Sequence, residues 1–144
     1  MLKNLTRRTT KQSVKVATAV TAIVAAAVCT APSANAADPT TKFRLEYGAS
    51  YAVGTLRWHQ RSVDVDYSIK ASYCRQLQAF GFDQDGVEWG HPKSPVVCNA
   101  TDSGTRNVLV NVPGGAKIIR LDLVDEKGKL LDSVKCVPGA DCLT

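Results

Sequence analysis

Apolar and polar side chains alternate along several stretches of this chain, and the clearest alternation covers residues 63–70. The odd-numbered positions there are Val, Val, Tyr and Ile, whereas the even-numbered positions are Asp, Asp, Ser and Lys. Residues 108–112 and 119–123 repeat the pattern with Val or with Ile and Leu at alternate positions. Because successive side chains of a strand point to opposite faces, this alternation predicts strands with one face in a core and the other in water.

Turn-forming segments separate these stretches, and they favour reversals of the chain at residues 60–62, 83–86, 113–115 and 126–129. No long segment has an apolar stripe at helical spacing. We therefore predict an all-β fold, an antiparallel β-sandwich of about seven to eight strands, with residues 37–42 fraying as a tail. The predicted strands cover residues 43–48, 52–59, 63–70, 74–82, 87–90, 106–112, 117–124 and 130–137.

The first 36 residues have the layout of a cleavable signal peptide. Five Lys and Arg and no acidic residue lie in the first fifteen positions, an Ala, Val and Thr run follows, and Ala34-Asn35-Ala36 fits the cleavage pattern. The run from 16 to 28 is shorter than the roughly 20 residues that span a bilayer. We expect residues 1–36 to be removed before Ala37, which leaves a secreted domain over 37–144 with no contact to the membrane.

Two variants of export stay open. Thr6-Arg7-Arg8 suggests the twin-arginine route, but Thr9-Thr10 stands where that route expects bulky apolar residues. Cys29 suggests a lipoprotein anchor, but Val28 occupies the position where a small residue is needed. The general secretory route is therefore favoured.

Removing the leader changes the charge of the chain. Of 18 Lys and Arg, five lie in the leader, which leaves 13 basic residues against 13 acidic ones in the predicted domain. A neutral domain lacks the clustered basic face that binding to phosphate backbones requires, so nucleic acid is not expected as a partner.

Four cysteines remain after the leader, and an even number in an oxidising compartment predicts two disulfides. Cys74, Cys98, Cys136 and Cys142 allow three pairings. We favour Cys74 with Cys98 and Cys136 with Cys142, because the turn-rich segment 137–141 brings the last two together. No CxxC pair is present, so the spacing does not indicate a metal site, and no motif indicates a cofactor.

A resemblance accompanies these features. The leader, the segment Gly54-Thr55-Leu56-Arg57-Trp58, the strand from Ser62 to Ile69, Cys74, the turn Pro113-Gly114-Gly115 and the terminal pair Cys136 and Cys142 resemble small secreted actinobacterial β proteins with two disulfides. The resemblance implies export and a β fold, and it implies no activity. Secreted proteinase and amylase inhibitors are similar in size and in having two disulfides.

Two Trp–His pairs are the first candidates for a partner-binding surface. Trp58-His59 and Trp89-Gly90-His91 contain both tryptophans and both histidines of the chain. On neighbouring strands they would form an exposed aromatic platform of the kind that holds sugar rings or apolar side chains. The alternative, which we favour, is that one or both tryptophans fill the core.

Lys93 is a second candidate, because Pro92-Lys93-Ser94-Pro95 is a stiff basic segment close to Cys98. A rigid segment of this kind suits the presentation of a bait residue to a trypsin-like protease, since rigidity lowers the ordering cost of binding. An ordinary extended connection is the alternative that we favour.

An acidic turn is the last candidate. Asp83, Asp85 and Glu88 surround Gly86 and faintly resemble a calcium loop, but the full ligand spacing is absent. A hairpin turn explains these residues better.

Catalytic motifs are lacking, since the predicted domain has two histidines, no free thiol if both disulfides form, and no HExxH sequence. We therefore expect a secreted non-catalytic binding protein whose partner is an extracellular protein or polysaccharide. The alternatives are an inhibitor of an extracellular protease or amylase and a structural component of the cell or spore surface.

Overall fold

The computed structural model describes residues 37–143, so the predicted signal peptide, residues 1–36, lies outside the described part of the chain. The described residues form strands and turns with no helix, and the strands make two antiparallel sheets packed against each other. This confirms the predicted β-sandwich. The nine strands are β1 (Thr40–Tyr47), β2 (Ser50–Trp58), β3 (Ser62–Lys70), β4 (Cys74–Phe82), β5 (Glu88–Trp89), β6 (Val97–Cys98), β7 (Thr101–Leu109), β8 (Ile118–Asp125) and β9 (Leu130–Cys136).

The first sheet has the order β1-β2-β3-β7, and the second has the order β5-β4-β8-β9, with β6 also paired to β4. The alternation in β3 works as expected, because its apolar side chains are buried and the polar side chains between them face outward. Facing side chains of β2, β4 and β8 complete a single core between the sheets. Each fully buried Leu, Ile or Val contributes roughly 1.5–3 kcal/mol relative to an exposed position. The largest buried side chains are Leu45, Leu56, Ile69, Ile119, Leu121 and Leu123.

The expectation that residues 37–42 fray is wrong from Thr40 onward. β1 begins at Thr40 and pairs with β2 as far as Arg57. The Thr41 hydroxyl is buried, donates a hydrogen bond to the Val137 carbonyl at 2.9 Å and accepts one from Trp58 Nε1 at 3.0 Å. These bonds fix the start of the described chain onto both sheets.

The strand β7 begins at Thr101, five residues before the predicted start at 106. The alternation is hidden there because Asp102, Gly104 and Arg106 occupy the positions that pair with inward-facing residues of β3. Tyr67 accommodates them: its hydroxyl donates to Asp102 at 3.1 Å, and the Arg106 guanidinium lies over its ring at 5.8 Å.

One edge of β4 pairs with β8, and the other edge pairs in turn with β5, with Lys93 and with β6. The sequence did not predict β6. If the pairing of Gly81 with Trp89 continued without interruption, Gln78 would pair with Pro92. It pairs with Lys93, so the register shifts by one residue between these two points. A second one-residue shift precedes Cys98. Such bulges, together with prolines, protect a sheet edge from pairing with another chain.

Both favoured disulfides, Cys74–Cys98 and Cys136–Cys142, are present. The first joins residues directly opposite each other in β4 and β6, and the second ties the chain after β9 back to the end of that strand. Two intramolecular disulfides are typical of extracellular proteins. Residues 37–143 contain no helix that is long and apolar enough to cross a membrane.

Candidate functional site

A cleft of about 490 Å³ opens at the end of the sandwich where β2 turns into β3. Its walls are the β2–β3 turn, the turn at 113–117, Pro138 and the residues just before β1. Gly115 shows how closely the two turns pack, because a Cβ atom there would collide with the Gln60 carbonyl oxygen. The side chains that matter for its chemistry are Asp38, Trp58, His59, Arg61 and Lys117.

Trp58 is the last residue of β2 and forms the base of this cleft. Its indole is 4 % exposed and its Nε1 donates to Thr41 at 3.0 Å, so the ring belongs mainly to the core. This is the placement that we favoured for at least one tryptophan.

His59 lies between two carboxylates at the cleft. Its Nδ1 is 2.6 Å from Asp38 Oδ2, and its Nε2 is 3.0 Å from Asp64 Oδ2. These hydrogen bonds, the one to Asp64 first, raise the pKa of His59 above its ordinary value of 6.5. We call this arrangement of Asp38, His59 and Asp64 the histidine clasp.

Asp64 is held by more than the histidine. The Asn107 side-chain amide donates to Asp64 Oδ1 at 2.7 Å, and this bond, followed by the contact with His59, lowers the pKa of Asp64. The clasp therefore joins the segment before β1, the end of β2, β3 and β7. Because both imidazole nitrogens are bonded to carboxylates, neither is free to take a proton from a substrate.

The remaining charge in the cleft is basic. Asp38 is bonded to His59, whereas Arg61 and Lys117 form no ion pair with an acidic side chain in the described residues. Arg61 Nη1 donates to the neutral Asn111 side chain at 3.0 Å. The cleft is thus a polar recess with a tryptophan at its base and two basic side chains, Arg61 and Lys117, that have no acidic partner in the described residues.

The second Trp–His pair lies in the other sheet, so the two pairs do not form one platform. Trp89 is 37 % exposed, and its Nε1 donates to Asp83 at 2.8 Å. His91 stacks on Phe80 at 3.8 Å between ring centroids, and its Nε2 is 3.1 Å from Gln78 Oε1. Burial, followed by the charge of nearby Lys93, lowers the pKa of His91.

Lys93 has an exposed side chain on a fixed backbone. The neighbouring Pro92 carbonyl accepts from Ala79 at 3.0 Å, and the Ser94 N–H donates to Leu77 at 2.9 Å. The Lys93 carbonyl accepts from Arg106 Nε at 2.9 Å. The segment is therefore the extended connection that we favoured, and it runs along the edge of β4 with one main-chain group of Lys93 already bonded.

The acidic turn is stabilised by its own backbone. Asp83 Oδ1 accepts from the N–H groups of Asp85 and Val87 at 2.9 and 3.0 Å, while Oδ2 accepts from Trp89. These bonds, the one from Trp89 first, lower the pKa of Asp83. The carboxylate thus forms the hairpin turn that was favoured over a calcium loop, and no cluster of metal-ligating side chains occurs in residues 37–143.

Sequence reasoning missed a second cluster, at the opposite end of the sandwich. The guanidinium of Arg75 lies 5.7 Å from the ring centroid of Tyr47 and 5.6 Å from that of Tyr73. The tyrosines are 47 % and 70 % exposed. The only signal in the sequence is the run Tyr73-Cys74-Arg75, because Tyr47 is brought there by the sandwich. Asp38 and Lys117 of the cleft were missed for the same reason.

Comparison with known proteins gives no relative: no family model, no curated protein sequence and no solved structure matches this chain.

Proposed function

We propose that this chain is a secreted, non-catalytic binding protein and that its cleft receives an acidic group of an extracellular protein or polysaccharide. The observation that carries the proposal is the cleft itself, whose size lies in the range of ligand sites and whose unpaired charges are Arg61 and Lys117. The histidine clasp supports a binding role, because its imidazole is occupied on both sides.

Rigidity of the cleft also supports recognition. The turn at 113–117 packs directly on the β2–β3 turn, and the Cys136–Cys142 disulfide ties the segment after β9. A preformed site loses less conformational entropy on binding. Export is supported by the leader pattern and by the two disulfides.

The test is a titration of mature protein with a poly-glutamate peptide, with oligogalacturonate and with a neutral oligosaccharide. We expect one of the acidic probes to bind and the Arg61→Ala/Lys117→Ala variant to lose at least tenfold in affinity. The matched control is Lys127→Ala/Lys129→Ala, which removes two basic residues from the far end of the sandwich and leaves affinity unchanged. Equal affinity of all three proteins for the acidic probes contradicts the proposal.

Export and processing have their own test. Mass spectrometry of the protein recovered from culture medium is expected to give an N-terminus at Ala37 and a mass lower than that of the reduced form by four hydrogen atoms. An intact leader on the exported protein would contradict this part of the proposal.

Inhibition of a trypsin-like protease is a second candidate function, favoured by the exposed side chain of Lys93 on a hydrogen-bonded backbone. Titration of trypsin with the purified protein tests it. Inhibition that Lys93→Ala removes supports the candidate, and full protease activity at micromolar protein eliminates it.

A further inference from the structure

We infer that Tyr47, Tyr73 and Arg75 form a second binding site, which takes a saccharide chain bearing carboxylates, such as a polyuronate. This site goes beyond the cleft of the proposed function, since it lies at the opposite end of the sandwich. We call it the tyrosine site.

The first argument is an arginine that is buried without an acidic partner. Arg75 is 7 % exposed, its Nη1 donates to the Cys74 carbonyl at 2.9 Å, and its Nε has no hydrogen-bond partner. Asp125 is opposite it in the ladder, but that carboxylate accepts from the N–H groups of Lys127 and Lys129. Arg75 forms no ion pair in the described residues. A buried charge without a counterion is costly, and a ligand carboxylate held between the two exposed tyrosines would offset part of that cost through its attraction to the guanidinium.

The second argument is the pair of tyrosines around this charge. Tyr47 and Tyr73 are both exposed, and the Arg75 guanidinium lies over both rings. An aromatic ring offers an apolar face together with a polar hydroxyl, which suits a sugar ring with its C–H face and its hydroxyl groups. A uronate residue combines that face with the carboxylate that Arg75 lacks.

The backbone around the site disfavours a peptide ligand. Ala71 donates to Ala100 at 2.8 Å, Ser72 N donates to Ser50 Oγ at 3.0 Å, and the Tyr73 carbonyl accepts from Asn99 at 3.4 Å. Main-chain recognition of an added strand needs free N–H and C=O groups, and these are already paired. Side chains therefore make the contacts, which favours stacking on the rings.

The same bonds hold the site rigid. The loop before β4 is connected to β2 through Ser50, and the Cys74–Cys98 disulfide follows Tyr73 directly. Tyr73 is thus presented on a fixed loop, which lowers the entropic cost of ligand binding.

Binding of oligogalacturonate to the folded mature protein tests the inference, with a neutral galactan oligomer and poly-glutamate as comparison probes. We expect Tyr73→Ala to lower the affinity for oligogalacturonate by roughly fivefold to tenfold, with a further loss in Tyr47→Ala/Tyr73→Ala. Because Arg75 is buried, the tyrosine variants carry the test, and thermal unfolding verifies that each is folded.

Tyr51→Ala is the matched control. Arg44 lies 5.4 Å from the Tyr51 ring centroid, so the stacking is the same, but this arginine is paired with Glu46. We expect Tyr51→Ala to bind like the wild type.

Four results would overturn the inference. Unchanged affinity for oligogalacturonate in the tyrosine double variant excludes the site, equal binding of the neutral galactan excludes an acidic ligand, and an equal loss of poly-glutamate affinity in the tyrosine double variant excludes a saccharide. Loss of binding in Arg61→Ala/Lys117→Ala alone would place the ligand in the cleft, which refutes the tyrosine site and leaves the proposed function standing.

Discussion

The pKa of His59 should lie above the ordinary value for histidine, and the pKa of His91 should lie below it. The difference between the two pKa values tests whether the histidine clasp forms in solution. Both ring nitrogens of His59 are hydrogen-bonded to carboxylates, so its pKa is raised, whereas burial lowers the pKa of His91. Each histidine serves as the internal reference for the other. NMR titration of the two ring Cε1–H signals, assigned with His91→Gln, gives both values in one sample.

The clasp stabilises the protein by an amount that its exposure limits. The Asp64 side chain is 25 % exposed, and its contact with His59 contributes about 1 kcal/mol. The Asp38 side chain is 53 % exposed, so its contact with His59 contributes only roughly 0.3 kcal/mol. Loss of about 1.3 kcal/mol lowers the melting temperature of a domain of this size by roughly 5–8 °C.

The pH dependence has a definite sign. A raised pKa means that the folded state holds the proton more tightly than the unfolded state does. The contribution of His59 is therefore complete below pH 6.5 and is lost as the pH rises through its folded pKa. Asp64, whose pKa is lowered, loses its contribution only as the pH falls through its own folded value.

The assay is thermal unfolding of wild type and His59→Gln from pH 6 to pH 9. We expect the difference in melting temperature between wild type and His59→Gln to be largest at pH 6 and to narrow toward pH 9. The control is His91→Gln, whose difference from wild type should not narrow over this range. A His59 pKa at or below that of His91, or a gap independent of pH, would refute the clasp.

Three further substitutions test the packing. Trp58→Phe removes the hydrogen bond to Thr41 and should cost about 1 kcal/mol in urea unfolding, with no loss if the indole N–H is not bonded in solution. Gly54→Ala should prevent folding as judged by circular dichroism, because a Cβ there would collide with the Asp66 carbonyl; a folded variant contradicts the register of β2 and β3. Ser94→Ala leaves a buried N–H of β4 unbonded and should cost about 1–3 kcal/mol, whereas an unchanged unfolding midpoint would contradict the edge-strand pairing.

The alternation of apolar and polar residues and the turn residues between strands determined those features of the fold that depend on neighbours in the sequence. Strands β3 and β4 begin and end within one residue of their predicted bounds, because each has one face in the core and turn residues at its ends. The disulfide pairing followed from the short turn between Cys136 and Cys142. When one face of a sheet is buried and the other is exposed, the alternation of apolar and polar residues shows this directly in the sequence.

Tertiary structure decided what depends on residues far apart in the chain. The early start of β7 depends on Tyr67 of β3, which accommodates Asp102 and Arg106 at inward positions where the sequence shows no apolar residue. The histidine clasp and the tyrosine site arise in the same way, since strand pairing and sheet packing bring Asp38 to His59 and Tyr47 to Arg75. Periodicity specifies which face a side chain occupies, but only the pairing of strands specifies what it meets there.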